Sequence, residues 1–119
     1  MDFDWERFID VAEHLRNYSN REEYQRTAVG RYYYTCFLIA RDIYYDMAKV
    51  PEGTFVSHES VITFFEKSKK DIEKDLGTKL RNLRRRRNNA DYDKEFRFAD
   101  LNDIKKRYKD IITLLDKLK

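Results

Sequence analysis

Arginine dominates one short stretch of the chain, residues 80–93, which reads LRNLRRRRNNADYD. Six basic residues and no acidic one stand between Lys79 and Arg87, so a total net charge of +3 leaves −3 for the rest of the chain. Guanidinium groups concentrated in this way attract polyanions, nucleic acids above all. A solvated helix face is an equally ordinary use of such a run, and composition alone does not decide between the two.

Helical spacing places Arg87 on the buried side of its helix. At about 100° per residue, Arg87 falls within about 60° of the apolar stripe of the same helix. That stripe consists of Leu76, Leu80 and Leu83. Three other arginines of the run fall well off the stripe, and we expect them to be solvated. They are Arg81, Arg85 and Arg86.

A guanidinium on an apolar stripe needs a partner, because burying an unpaired charge is costly. Asp91 follows Arg87 by four residues and shares its face, with Arg84 alongside. One interpretation is a structural ion pair that caps the end of the core. The other is a cleft in which Arg87 binds a phosphate, to which its planar fork is suited.

Arg31 is a second charged residue on an otherwise apolar helix. It lies opposite the main core stripe of that helix, on a face that also carries Tyr24, Ala28, Thr35 and Leu38. Arginine and tyrosine together are favoured at protein interfaces. This face is therefore either a second packing interface or the wall of the same cleft.

Five segments with helical periodicity must position these residues. The first spans residues 3–18, and the second spans 20–48 and opens with a capping box formed by Ser19 and Glu22. The second helix is apolar on nearly all sides, with a main stripe that ends at Met47, so it should be central. The third begins at Ser57, the fourth spans 71–92, and the last begins near Asp100. No alternating strand pattern occurs, so the sequence predicts an all-α helical bundle in a single domain, residues 1–119.

The remaining composition narrows the functional class. The single cysteine, Cys36, and the lack of a signal segment predict a cytoplasmic protein, and no apolar run approaches the ~18 residues of a membrane span. There is no glycine-rich phosphate loop, no HExxH and no Cys or His pair at metal spacing, so we expect neither a metal nor a cofactor. His14 and His58 stand on different helices, which favours structural roles for both.

Three segments, in this order, resemble motifs of HEPN-domain proteins, specifically the small prokaryotic class found beside minimal nucleotidyltransferases. They are GRYYYTCFLIARDIY at 30–44, SHESVITFF at 57–65 and RNNADYD at 87–93. The resemblance implies an up-down bundle of four to five helices that forms a homodimer, with the signature arginines of both protomers meeting in a cleft at the interface. Many members are metal-independent endoribonucleases, either toxins of toxin–antitoxin pairs or effectors of antiviral defence.

The resemblance also implies which residues act on RNA. Arg87 matches the signature arginine and Asn88 the polar residue after it, but Tyr92 stands where active members have a histidine. Family-type cleavage uses the 2′-hydroxyl of the substrate as nucleophile, and a tyrosine is a poor general base at neutral pH. Asp91 is the other candidate for moving protons.

Two hypotheses follow from this resemblance. In the first, Arg87, Asp91 and Tyr92 form the catalytic group of a weakened endoribonuclease. In that hypothesis RNA or a nucleotide is bound by Arg31, Arg84, Arg87 and Asn88. The alternative is a non-catalytic subunit that binds a nucleotide or a nucleotidyltransferase partner, for which Tyr92 is a candidate site of modification.

Overall fold

One long central helix organises the fold, as its apolar composition predicts. The computed structural model describes residues 3–97 and 99–119, and these form five α-helices preceded by a short 3₁₀ turn. The turn is Trp5–Arg7, and the helices are α1 (Phe8–Tyr18), α2 (Glu22–Ala48), α3 (His58–Glu66), α4 (Asp71–Tyr92) and α5 (Leu101–Leu118). The described residues contain no β-strand, so the predicted all-α class is confirmed. None of these helices combines the length and the apolar composition that a bilayer span requires.

The core forms around α2, which packs along α1, α4 and α5, while α3 packs mainly on α4. Tyr32, Tyr33 and Cys36 of α2 are fully buried, and burial raises the pKa of the Cys36 thiol well above its usual value. The apolar stripes predicted on α4 and α5 are buried in the same core. Met47 is the exception to the predicted α2 stripe, with 38% of its surface exposed. It borders a surface groove between the start of α4 and the end of α5, where no helix covers it.

Side-chain caps begin α3 and α5 where the sequence predicts them. The Ser57 hydroxyl accepts a hydrogen bond from the Ser60 amide at 3.0 Å. The Asp100 carboxylate accepts from the amides of Asn102 and Asp103. Both caps satisfy amides that the first turn of a helix leaves without partners, so they fix the residue at which each helix begins.

The predicted capping box of α2 is wrong. Ser19 is the C-cap of α1 in extended backbone, and the residue that precedes α2 is Arg21, which makes no side-chain cap. Ser19 accepts from the Arg21 amide instead, and Gln25 donates to the carbonyl of Ser19. The connection between α1 and α2 is so short that Ser19 is needed to end the first helix and stands too early to begin the second.

Gly77 determines how closely α3 approaches α4. A Cβ atom at this position would lie 2.5 Å from the backbone nitrogen of Glu66, well inside van der Waals contact. The contact brings α3, with His58 and Glu59 at its start, against the arginine-rich part of α4.

Candidate phosphate-binding site

Arg87 is nearly buried in the last turns of α4, with 12% of its side chain exposed. Its Nε atom lies 2.8 Å from Asp91 Oδ2, which is the ion pair predicted from their spacing. Its two terminal nitrogens donate hydrogen bonds to the Tyr34 hydroxyl and to Asn88 Oδ1. The guanidinium is therefore held by side chains from both α2 and α4, in a fixed orientation.

Tyrosine rings surround the same guanidinium. The central carbon of the Arg87 guanidinium lies 4.8 Å from the ring centre of Tyr34, 5.5 Å from that of Tyr92 and 6.0 Å from that of Tyr33. These are cation–π distances, at which the ring faces attract the positive charge. The rings also displace water from around the cation, which strengthens its attraction for an anion.

Arg31 also lies against Tyr34, which follows it by three residues on α2. Its guanidinium carbon is 5.4 Å from the ring centre of Tyr34 and 5.6 Å from that of Phe8 on α1. Among the residues that the structure describes, no carboxylate pairs with Arg31. Arg31 therefore packs between α1 and α2, which is the packing interface predicted as one of the two alternatives for this face, and it shares Tyr34 with Arg87.

Arg84 faces α3 and does not lie against Asp91 as the helical spacing suggested. Its NH1 group lies 3.2 Å from Glu59 Oε2. Glu59 also binds Arg81, whose hydrogen bond lowers the pKa of the Glu59 carboxyl. Because one carboxylate serves two arginines, the charge of Arg84 is only partly neutralised.

The expectation of solvated side chains off the leucine stripe is wrong for two of the three arginines. Arg81 binds Glu66 at 2.7 Å in addition to Glu59, and Arg86 is only 14% exposed, with its Nε 3.8 Å from Asp103 Oδ2. Arg85 is exposed, as expected. The physical reason is that α3 and α5 pack on either side of α4, so most positions off the stripe meet a neighbouring helix instead of water.

His58 belongs to this site, although the sequence favours a purely structural role for it. Its ring stacks on Phe37 with 3.9 Å between centroids, and its Nδ1 lies 2.7 Å from the Tyr33 hydroxyl. Burial and, after it, the nearby charges of Arg84, Arg87 and Arg41 together lower the pKa of His58 to about 4. The imidazole is therefore neutral at pH 7 and stands within the field of the arginines.

Two sequence signals point to His58: its place directly after the Ser57 cap, and its occurrence in the SHESVITFF segment that resembles a HEPN motif. The residues that His58 contacts depend on how α3 packs against α2 and α4. The spacing of residues along the sequence does not determine that packing. We call Arg31, Tyr34, His58, Arg84 and Arg87 the arginine cluster.

A second arginine holds the end of α4 in place. Arg26, on α2, donates hydrogen bonds to the carbonyls of Ala90 at 2.9 Å and Lys94 at 2.7 Å, and to that of Asp93. The side chain of Asn89 is buried and binds the backbone of the following turn. These contacts satisfy the last carbonyls of the helix, so Arg26 and Asn89 fix the segment that carries Asp91 and Tyr92.

The polar residues after Arg87 divide into buried and accessible groups. Asn88 is half-buried and points its side-chain oxygen at Arg87, whereas Asp91 keeps about a third of its side chain exposed, at 32%. Tyr92 is 73% exposed. A ligand that approaches Arg87 from solvent therefore meets Asp91 and Tyr92 first.

The arrangement suits an anion. It offers three guanidinium groups, one neutral imidazole and aromatic faces, and its acidic groups are the ion-pair partners of the arginines themselves. Arginine forks bind phosphate through paired N–H groups, which is the chemistry this cluster supplies. Within the described residues no group of three or more His, Cys, Asp or Glu side chains is placed to hold a metal ion.

Comparison with known proteins adds no assignment. Neither a family model, nor a curated protein, nor a solved structure matches this chain. The functional conclusion therefore depends on the geometry of the arginine cluster and on the motifs that place it.

Proposed function

We propose that this chain is a HEPN-like RNA-binding protein of a toxin–antitoxin or defence system, built as an up-down bundle. The observation that carries the proposal is the nearly buried Arg87 guanidinium, oriented by Tyr34 and Asp91 and flanked by Arg31 and Arg84. A phosphate of the RNA backbone binds at Arg87 and Arg84, and the tyrosine faces exclude water from the contact.

Preorganisation is what distinguishes this cluster from a charged surface. A solvated arginine loses side-chain entropy when it binds a phosphate. Arg87 has already lost that freedom on folding, because Tyr34, Asn88 and Asp91 hold it. The exposed Arg85 has not. Arg87 should accordingly contribute much more to RNA affinity than Arg85, although the two carry the same charge.

We further propose that bound RNA is cleaved slowly and without a metal. The 2′-oxygen attacks the adjacent phosphorus, the P–O5′ bond breaks, and the leaving 5′-oxygen takes a proton from water, which gives a 2′,3′-cyclic phosphate and a 5′-hydroxyl. Arg84 and Arg87 stabilise the charge that develops on the phosphate. His58 takes the role of the missing signature histidine and accepts the proton of the 2′-hydroxyl. Its low pKa makes it a weak base, which limits the rate.

The resemblance to HEPN proteins also supports a homodimer in which the arginine clusters of two chains face one cleft. Light scattering coupled to size exclusion measures the mass of the particle directly. A particle with twice the mass of the chain supports this part of the proposal, and a monomer at the concentrations that bind RNA contradicts it.

The experiment that tests the proposed function is a gel shift and cleavage assay on end-labelled RNA in EDTA. We expect wild-type protein to bind and slowly cleave, Arg87→Ala to lose both activities, and His58→Gln to bind without cleaving. Arg85→Ala is the matched control and should retain both. Equal losses from Arg85→Ala and Arg87→Ala would mean that the cluster is only part of a charged surface.

A second candidate function is favoured by the exposure of Tyr92. Its phenol is 73% exposed and its ring lies 5.5 Å from the Arg87 guanidinium, which can hold the phosphates of a nucleotide donor. In this alternative the chain is a subunit that a nucleotidyltransferase partner modifies on Tyr92. Intact mass of the protein isolated from its native cells, beside Tyr92→Phe, tests it. An added nucleotidyl mass that Tyr92→Phe abolishes supports the alternative, and an unmodified wild-type chain contradicts it.

A further inference from the structure

An open pocket of about 740 Å³ adjoins the arginine cluster and is not part of the segment around Arg87. It lies between α2, the loop of residues 52–57 and the first residues of the described chain. Tyr34, His58 and Arg84 line it and also belong to the arginine cluster, so the two features are continuous. Its volume is typical of sites that bind small organic molecules and cofactors.

Aromatic side chains form much of the pocket wall. Trp5, Phe37 and Tyr45 line it, and the indole N–H of Trp5 donates to Asp42 Oδ2 at 2.7 Å, which fixes the orientation of that ring. Phe55, in the loop, is 91% exposed at the pocket. A fully exposed phenylalanine beside an aromatic wall offers a face on which a planar ring can stack.

Two arginines supply the charge of the pocket. Arg41 packs against the rings of Trp5 and Tyr45, at 5.9 and 5.7 Å, and forms no ion pair with any described residue. The Nε atoms of Arg41 and Arg84 are buried and have no hydrogen-bond acceptor among the described residues. Because neither water nor an acceptor compensates these atoms, the guanidinium charges are poorly solvated, and an anion bound in the pocket would interact strongly with them. Asp42 and Glu52 add acceptors for the amino groups of a ligand.

From these features we infer that the pocket binds one nucleotide unit, with its base stacked among Trp5 and Phe55 and its phosphate between Arg41 and Arg84. The inference rests on the proposed function and extends it, because the base then lies in a pocket beside the phosphate held by Arg87. The unit is either part of the bound RNA or a free mononucleotide. Because every base has a face that can stack on an aromatic ring, we expect little preference among the four bases. The bound phosphate would also neutralise part of the positive charge of the arginines around His58.

Trp5 is the only tryptophan in the chain and lines this pocket, so its fluorescence reports on binding here, and the pocket variants described below assign the signal to it. The probe is adenosine 5′-monophosphate, titrated into the full-length protein, with adenosine and inorganic phosphate titrated separately. We expect saturable quenching by the mononucleotide, with an affinity at least about tenfold above that of either half, since both the ring and the phosphate contribute. Equal affinity for inorganic phosphate would overturn the inference.

Two variants and two matched controls test whether the mononucleotide binds in this pocket. Phe55→Ala and Arg41→Gln should each weaken mononucleotide binding about tenfold, the range expected for a stacked base or a charged hydrogen bond. The controls are Tyr18→Ala, which removes an exposed ring elsewhere, and Arg85→Gln, which removes an exposed charge, and both should bind as wild type does. Thermal melting shows that each variant is folded, and Phe55 is so exposed that its removal should not disturb the core.

Competition then distinguishes the two sources of the nucleotide and separates this inference from the proposed function. Displacement of mononucleotide by RNA identifies the pocket as a subsite for RNA, and simultaneous binding of both identifies a free nucleotide as its ligand. One result would overturn the assignment of the pocket and leave the proposed function intact. In that result RNA binding depends on Arg87 but not on Phe55, and the mononucleotide does not quench the fluorescence of Trp5. Loss of RNA binding in every form of the protein would instead remove the proposed function itself.

Discussion

Protonation of His58 should destabilise the folded chain, and the structure fixes both the sign and the pH range. Burial is the first cause of its low pKa, and the charges of Arg84, Arg87 and Arg41 act in the same direction. The unfolded chain has neither the burial nor the arginines nearby. It therefore takes up this proton at higher pH than the folded chain does. The stabilisation is complete above pH 6.5 and is lost as the pH falls toward 4.

The size of the effect follows from the same two values. The pKa of His58 falls from 6.5 in the unfolded chain to about 4 in the folded one. Each pKa unit corresponds to about 1.36 kcal/mol, so about 3 kcal/mol is the upper limit for the fall in the free energy of unfolding, and solvent around the partly exposed ring reduces it further by screening the charges. That is a large part of the 5–15 kcal/mol that is typical of a domain.

Urea unfolding at a series of pH values measures this loss, and His58→Gln isolates it from the titration of carboxylates. Wild-type stability should drop more steeply than that of His58→Gln between pH 6.5 and 4, whereas His14→Gln, which removes an exposed imidazole, should follow the wild type. Imidazole NMR signals give the pKa directly. A His58 signal that titrates above pH 6 would refute the placement of this ring beside the arginines.

Two further predictions concern the packing that holds the site. Gly77→Ala should lower the free energy of unfolding by roughly 1–3 kcal/mol, because the new methyl group clashes with Glu66. In Gly30→Ala the new Cβ meets nothing nearer than 3.9 Å, so the free energy of unfolding should stay the same or rise by up to ~1 kcal/mol. Urea midpoints compare the pair, and equal values would contradict the close approach of α3 and α4. Arg26→Gln should cost about 2 kcal/mol, because it leaves the carbonyls at the end of α4 without their charged donor. Hydrogen exchange should show faster opening of residues 89–93 alone, and a uniform change along the chain would contradict a local role.

The sequence predicts the local parts of this site well. The ends of α4 match the structure at both Asp71 and Tyr92, and the Arg87–Asp91 pair follows from a spacing of four on one helix. Both are properties of a single helix, in which periodicity determines which side chains are neighbours. The same holds for the Ser57 cap.

Periodicity along one helix does not predict which side chains of different helices contact each other. Whether Arg81 contacts solvent or Glu66 depends on how closely α3 lies on α4. The small size of Gly77 permits the close approach, but a glycine in the sequence does not by itself predict it. His58 reaches the arginine cluster for the same reason. Arg26 is distant in sequence from the carbonyls that it binds, and nothing in its neighbourhood on α2 indicates that partner.

A preorganised phosphate site at Arg87 is tested by measuring the affinity for a short single-stranded RNA as a function of salt concentration. The experiment compares wild-type protein with Arg87→Ala, Arg87→Lys and Arg85→Ala by fluorescence anisotropy. We expect Arg87→Ala to weaken binding by roughly 10- to 100-fold, because a charged hydrogen-bonding group is lost. The salt dependence should fall by about 0.7 in its logarithmic slope, the value for one lost phosphate contact on a single strand.

Arg87→Lys should recover only part of the affinity, because it restores the charge but not the fork. Arg85→Ala should remain within about threefold of the wild type, since an exposed charge contributes little. Equal effects of Arg85→Ala and Arg87→Ala, or full recovery in Arg87→Lys, would contradict a preorganised phosphate site and leave only a positively charged surface.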